Sequence, residues 1–108
     1  MEKVYNKLVR DNIPEIIVGN GGNPFTRILD DSEYKLELEK KLNEEYHEVL
    51  GSPTGEERIE ELADMVEIIS VLAVLEGKSL DDAVEVAKQK RLKRGGFAKR
   101  IFLEKVEE

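Results

Sequence analysis

The chain has 108 residues, 40% apolar and 38% charged, with no cysteine and a net charge of −7. These values give room for one packed domain, exclude disulfides and thiolate metal sites, and argue against a general nucleic-acid binder, which a phosphate backbone would repel. The opening residues have no apolar signal-peptide core, and the longest apolar stretch, around Met65–Leu75, is broken by Glu67 and Ser70, so a soluble cytoplasmic protein is expected.

In chain order, VYNKLVRDNIPEII places apolar residues at Val4, Leu8 and Val9 and then offers Asn12 as a cap. Pro14 is suited to the first turn of a short helix. GNGGNP at 19–24 reads as a loop. Phe25–Leu29 and Ile101–Leu103 are short apolar runs that would suit a minor β ribbon. A first long helix is expected from about Asp31 or Ser32 to Leu50, with Leu38, Leu42, Glu45 and Val49 on one stripe. GSPTG at 51–55 is a turn. Thr54 with Glu57 has the spacing of a capping box that opens a second helix, running through Ile59, Leu62, Val66, Ile69 and Leu72 to Glu76. That helix is apolar on most of its surface and is expected to be central. Gly77 suits its stop. Ser79 with Asp82 caps a third long helix, with Leu80, Ala83, Val84 and Ala87 on one face and its end at Gly95-Gly96. Three long helices joined by short turns predict an all-α, antiparallel helical bundle.

Charge is segregated along this frame. Residues 30–67 carry fourteen acids and four bases, whereas 88–100 carry seven bases and no acid. Opposed solvated faces are the plain reading of that split. The acids, however, include two pairs with helical spacing, Glu45 with Glu48 and Glu61 with Asp64. Residues three apart share one helix face, so each pair sets two carboxylates side by side, which is repulsive without a cation between them. Glu45 also occupies a core slot of its stripe, and Asp64 lies among Leu62, Ala63, Met65 and Val66. Unpaired charge is costly there. Reversal of the chain across 51–55 places Glu48 near Glu61 and Glu45 near Asp64. Four converging carboxylates form an all-oxygen site suited to Mg²⁺ or Mn²⁺ rather than zinc. Their summed charge would be balanced by two divalent ions, roughly 3.5–4 Å apart in two-metal phosphate enzymes. An acidic hairpin with solvated charges is the alternative.

The third helix should run back along the second. Its apolar stripe continues into Arg91 and Arg94, with Lys88 adjacent, so its basic end is expected beside the carboxylates, with Phe97 packing or stacking beyond Gly95-Gly96. Metal-bound acids next to these bases would match a phosphate chain. Cations at a helix C-terminus are also favoured without any ligand. His47, the single histidine, has no companion ligand and reads as a surface or intersubunit residue. No P-loop is present, since GNGGNP lacks the following Lys-Ser/Thr.

Glu45-x-x-Glu48, a 12-residue gap and Glu61-x-x-Asp64 resemble the E-x-x-E…E-x-x-D signature of the MazG-like all-alpha nucleoside triphosphate pyrophosphatases. YNKLVRDNIPEII and KRGGFAKRIFL look like the two ends of a short, single-domain branch of that superfamily, akin to phosphoribosyl-ATP pyrophosphohydrolase. The resemblance implies one domain over residues 1–108 that binds Mg²⁺ through Glu45, Glu48, Glu61 and Asp64. It implies cleavage of a nucleoside triphosphate between its α and β phosphates, in a homodimer or homotetramer whose sites are completed across subunits. It further implies a metal-activated water assisted by a carboxylate base, for which Glu48 is the candidate. Lys88, Arg91 and Arg94 map onto the basic stretch before the Gly-Gly-Phe, and phosphate contact is inferred for them from that position. Lys7 and Arg10 belong to the N-terminal block without a role derivable from it. House-cleaning of non-standard nucleotides is the leading expectation. Phosphoribosyl-ATP hydrolysis in histidine biosynthesis and a non-catalytic helical regulatory module are the alternatives.

Overall fold

A computed structural model describes residues 1–108 as four α-helices with no strand: α1 (Ile13–Gly19), α2 (Asp31–Gly51), α3 (Gly55–Leu75) and α4 (Leu80–Arg94). The all-α expectation holds, and the β ribbon does not form. Phe25–Leu29 and Ile101–Leu103 have no ladder partner, and Phe25, Ile28, Ile101, Phe102 and Leu103 are exposed. Two short runs without a third strand or a covering helix bury too little to hold a ribbon together.

Local chemistry fixes the helix ends. Asp30, one residue ahead of the expected start, caps α2 by accepting from the Glu33 N–H at 2.9 Å. Arg27 grips the same Glu33 with both guanidinium nitrogens, at 2.8 and 3.2 Å. Thr54 Oγ1 accepts from the Glu57 N–H at 3.1 Å, so the cap on α3 forms, though without the reciprocal bond of a full capping box. That reciprocity is present at α4, where Ser79 accepts from the Asp82 N–H and the Asp82 carboxylate accepts from the Ser79 N–H. Gly77, at φ +74°, ends α3 in a Schellman arrangement: its N–H and that of Lys78 donate to the Val74 and Ala73 carbonyls. Asn12 precedes α1 but makes no side-chain cap bond, and Pro14 sits in the first turn.

The packed unit is the α2–α3 hairpin. Its connection is only Ser52–Thr54, tied at both ends: Ser52 Oγ donates to the Glu48 carbonyl at 2.7 Å, and Arg58 donates to the Ser52 carbonyl at 3.1 Å. Leu38 and Ile68 form its buried apolar centre. α4 lies against α3 alone and buries no residue, and α1 touches no other helix.

The chain is consequently extended. Its radius of gyration is 18.6 Å, against about 13 Å for a compact chain of this length. The most apolar helix, α3, is central as expected, being the one helix that packs against two others, yet much of its surface stays uncovered. Ile59, Leu62, Val66, Ile69 and Val74 of α3 remain between 37% and 65% exposed. The pattern correctly marks a helix with apolar residues all round. A single partner helix plus a lightly placed α4 cannot enclose it. No helix is long and apolar enough to cross a membrane.

Candidate metal centre

The hairpin brings three of the four expected carboxylates into one tight group. Ligand oxygens from Glu45, Glu61 and Asp64 lie within 4.8 Å of one another. Glu45 comes from the last two turns of α2, while Glu61 and Asp64 come from the second and third turns of α3. The short reversal puts these stretches opposite each other, and the three-residue spacing turns Glu61 and Asp64 to the same side. Glu48 is exposed and is not part of the tight trio, but its charge acts on both Glu45 and Glu61.

Glu45 is the unusual member. It is the one buried charged residue of the chain, at 8% exposure, and its Oε2 has no hydrogen-bond partner. Glu61 Oε2 is likewise buried and unpartnered. Buried polar atoms are normally paired, and a buried anion without a donor is costly. The titration behaviour reflects this crowding. Burial, opposed by the Glu61 carboxyl and reinforced by the charges of Glu48 and Asp64, holds Glu45 above the usual carboxylate range. Glu61 is pushed up to about 7, first by the adjoining Glu48 carboxyl, then by that of Glu45, with burial and like charge adding to both. These groups compete for protons because no fixed positive charge from their own helices serves them.

The one cation that reaches the cluster comes from outside the hairpin. Arg10 Nη2 donates to Asp64 Oδ1 at 2.7 Å. It is the only side-chain hydrogen bond in the molecule that spans more than six residues of chain. Sequence reasoning left Arg10 without a role. Its link to Asp64 crosses 54 residues and has no periodic signature. Charge in the N-terminal block is no denser than in the chain as a whole, so no sequence signal singles Arg10 out.

Lys88, Arg91 and Arg94 stand on α4 with no salt bridge to any carboxylate, and α4 does not touch α2. Within one chain the structure therefore does not join these bases to the acid cluster. Phe97, expected to pack or stack, is 99% exposed because the chain leaves α4 at Gly95, φ +81°, and meets no surface that would cover the ring. His47 is exposed and lies tilted against Tyr46, with ring centroids 5.4 Å apart.

No family model matches the chain, and no solved structure matches it. It is similar to an uncharacterized protein of Mycolicibacterium smegmatis, 43% identical over 54 residues, which is 50% of this chain and 55% of that protein. The chain thus spans about half the length of the curated relative it matches.

Proposed function

We propose that the protein is a Mg²⁺-dependent nucleotide pyrophosphohydrolase, cleaving a nucleoside triphosphate to the monophosphate and pyrophosphate. One observation supports this reading above the rest: the buried Glu45 carboxylate, its Oε2 unpartnered, directed into a cluster with Glu61 and Asp64. The donors are all carboxylate oxygens, which suits Mg²⁺, with Mn²⁺ as a substitute. Glu45, Glu61 and Asp64 would hold the ion, with Glu48 at the edge of the set. When bound, such an ion acidifies a water and offsets charge on phosphate oxygens.

The residues then divide the remaining work. Water oxygen attacks the α phosphorus, the bond to the α–β bridging oxygen breaks, and pyrophosphate departs. Glu48, exposed and beside Glu61, takes the proton from the attacking water. Lys88, Arg91 and Arg94 neutralise charge on the departing phosphates. Since α4 leaves its own hairpin uncovered, the proposal includes self-association, in a dimer or tetramer, with α4 of one copy serving the cluster of another. The bare apolar face of α3 supports that arrangement, because residues such as Ile59 and Val74 are better buried against a second copy than left in water.

The test is pyrophosphate release with Mg²⁺ across a panel of standard and non-standard nucleoside triphosphates, with phosphoribosyl-ATP as a separate arm. Asp64→Asn should abolish release while leaving the far-UV circular dichroism unchanged. Full activity in that variant would remove Asp64 from the site. Absence of Mg²⁺ binding near millimolar concentration would overturn the enzyme reading in favour of a non-catalytic helical module.

A further inference from the structure

The Arg10–Asp64 pair has a role that a simple tether does not explain. Its backbone is fixed independently of the pair, since the Arg10 carbonyl accepts from the Ile13 N–H at 3.1 Å in the turn that leads into α1. The guanidinium is free to move without unfolding that turn. It makes a single bond, from Nη2 to one Asp64 oxygen, and its other donors have no protein partner. The two side chains are 60% and 39% exposed, so water reaches the pair and weakens it. Asp64 is also one of the three carboxylates grouped closely enough to share an ion. Arg10 therefore binds a carboxylate that a divalent cation would also use.

We propose that Arg10 is a displaceable counter-ion of Asp64 and, once released, a phosphate-binding residue at the mouth of the carboxylate cluster. The inference rests on the metal reading above, because only a cation bound by the acids takes Asp64 from the arginine. In the metal-free protein Arg10 offsets part of the mutual repulsion of four acids. When the cation takes the Asp64 carboxylate, the charge that holds the guanidinium is neutralised and its donors are left free beside the cluster. Its fork geometry matches the oxygens of a phosphate chain, which it can bind through two parallel hydrogen bonds. The same side chain thus keeps the empty site tolerable and fills a different position in the loaded one. Lys7, three residues earlier in the block, has its ammonium 5.5 Å from the Tyr5 ring centroid and makes no salt bridge to the cluster, so Arg10 alone has this double position.

The two halves of the proposal predict opposite effects of one substitution. Wild type, Arg10→Ala and Arg10→Lys are titrated with Mn²⁺ alone, free ion being read by electron paramagnetic resonance. The Mg²⁺-loaded proteins are then titrated with inorganic tripolyphosphate by calorimetry. Arg10→Ala removes a competitor and should bind Mn²⁺ about twofold to fivefold tighter than wild type, the range of an exposed ion pair lost. It should bind tripolyphosphate about tenfold more weakly. Arg10→Lys keeps a point charge without the fork and should fall between the two in both titrations. Should circular dichroism reveal unfolding of Arg10→Ala, the lysine variant makes the same comparison. Mn²⁺ affinity unchanged or weakened in the variants would overturn the counter-ion role. Tripolyphosphate affinity unchanged would overturn the phosphate role. Failure of the wild type itself to bind Mn²⁺ near millimolar concentration would instead overturn the metal reading, an outcome visible without any variant.

Discussion

Replacing Glu45 with leucine should make the metal-free protein more stable and the metal-dependent protein inert. Glu45 sits on the stripe of Leu38, Leu42 and Val49, is 8% exposed, and has an oxygen with no donor. An unsatisfied buried polar group costs about 1–3 kcal/mol. Leucine has similar bulk and no such requirement. Allowing for imperfect packing of the new side chain, the variant should gain about 1–2 kcal/mol in a chelating buffer. For a domain of this size each kcal/mol moves the melting temperature by roughly 4–8 °C, so the gain is easily resolved. Adding Mg²⁺ should reverse the order of benefit. A site with a dissociation constant of about 1 mM would stabilise wild type by roughly 1.4 kcal/mol at 10 mM ion, whereas Glu45→Leu should not respond. The assay is thermal denaturation by circular dichroism, with and without Mg²⁺, at one protein concentration. A variant less stable than wild type in chelator would refute the reasoning, because it would mean that Glu45 has a favourable partner within the protein.

Two further expectations follow from the same geometry. Glu61 binds its proton more tightly folded than unfolded, with its value near 7 against an ordinary 4.5, so the native state holds the extra proton and stability must fall as pH rises between them. That contribution is complete below pH 4.5 and lost through pH 7. Melting temperatures in chelator should therefore drop across this window, and the Glu61→Gln variant should drop less. Thr54→Ala should lower stability by ~1 kcal/mol through loss of the cap on α3, read as a shift in urea midpoint with an unchanged slope.

Much of this molecule is legible in its sequence, for an identifiable reason. Helices α2, α3 and α4 announce themselves by 3.6-residue periodicity and by caps at Thr54 and Ser79, all local signals. The convergence of Glu45, Glu61 and Asp64 is legible because a tight turn links two helices, so register across the hairpin follows from counting residues. What escaped depends on distant choices. Whether Lys88, Arg91 and Arg94 reach the acids depends on how α4 leaves Gly77, and no periodic pattern encodes that angle. The exposure of α3 depends on how many neighbours cover it, whereas its composition records only that it is apolar all round. Arg10 reaches Asp64 from an N-terminal segment whose path has no repeat to read. Phe25–Leu29 and Ile101–Leu103 were too short for alternation to distinguish a strand from an irregular exposed segment.

The three-residue connection between α2 and α3 has a consequence for binding rather than for folding. Glu45 lies six residues before Gly51, and Glu61 six residues after Gly55. The two donors are joined through one of the shortest paths a helical hairpin allows, so each meets the other at a high effective concentration. In the proposed metal site the cluster would act as a chelator whose arms are covalently preset. Opening at the far end of the hairpin, or loss of α4 altogether, leaves the spacing of those arms almost untouched. In that proposed site, control over what the cluster would hold lies at the turn and in the segment that carries Arg10.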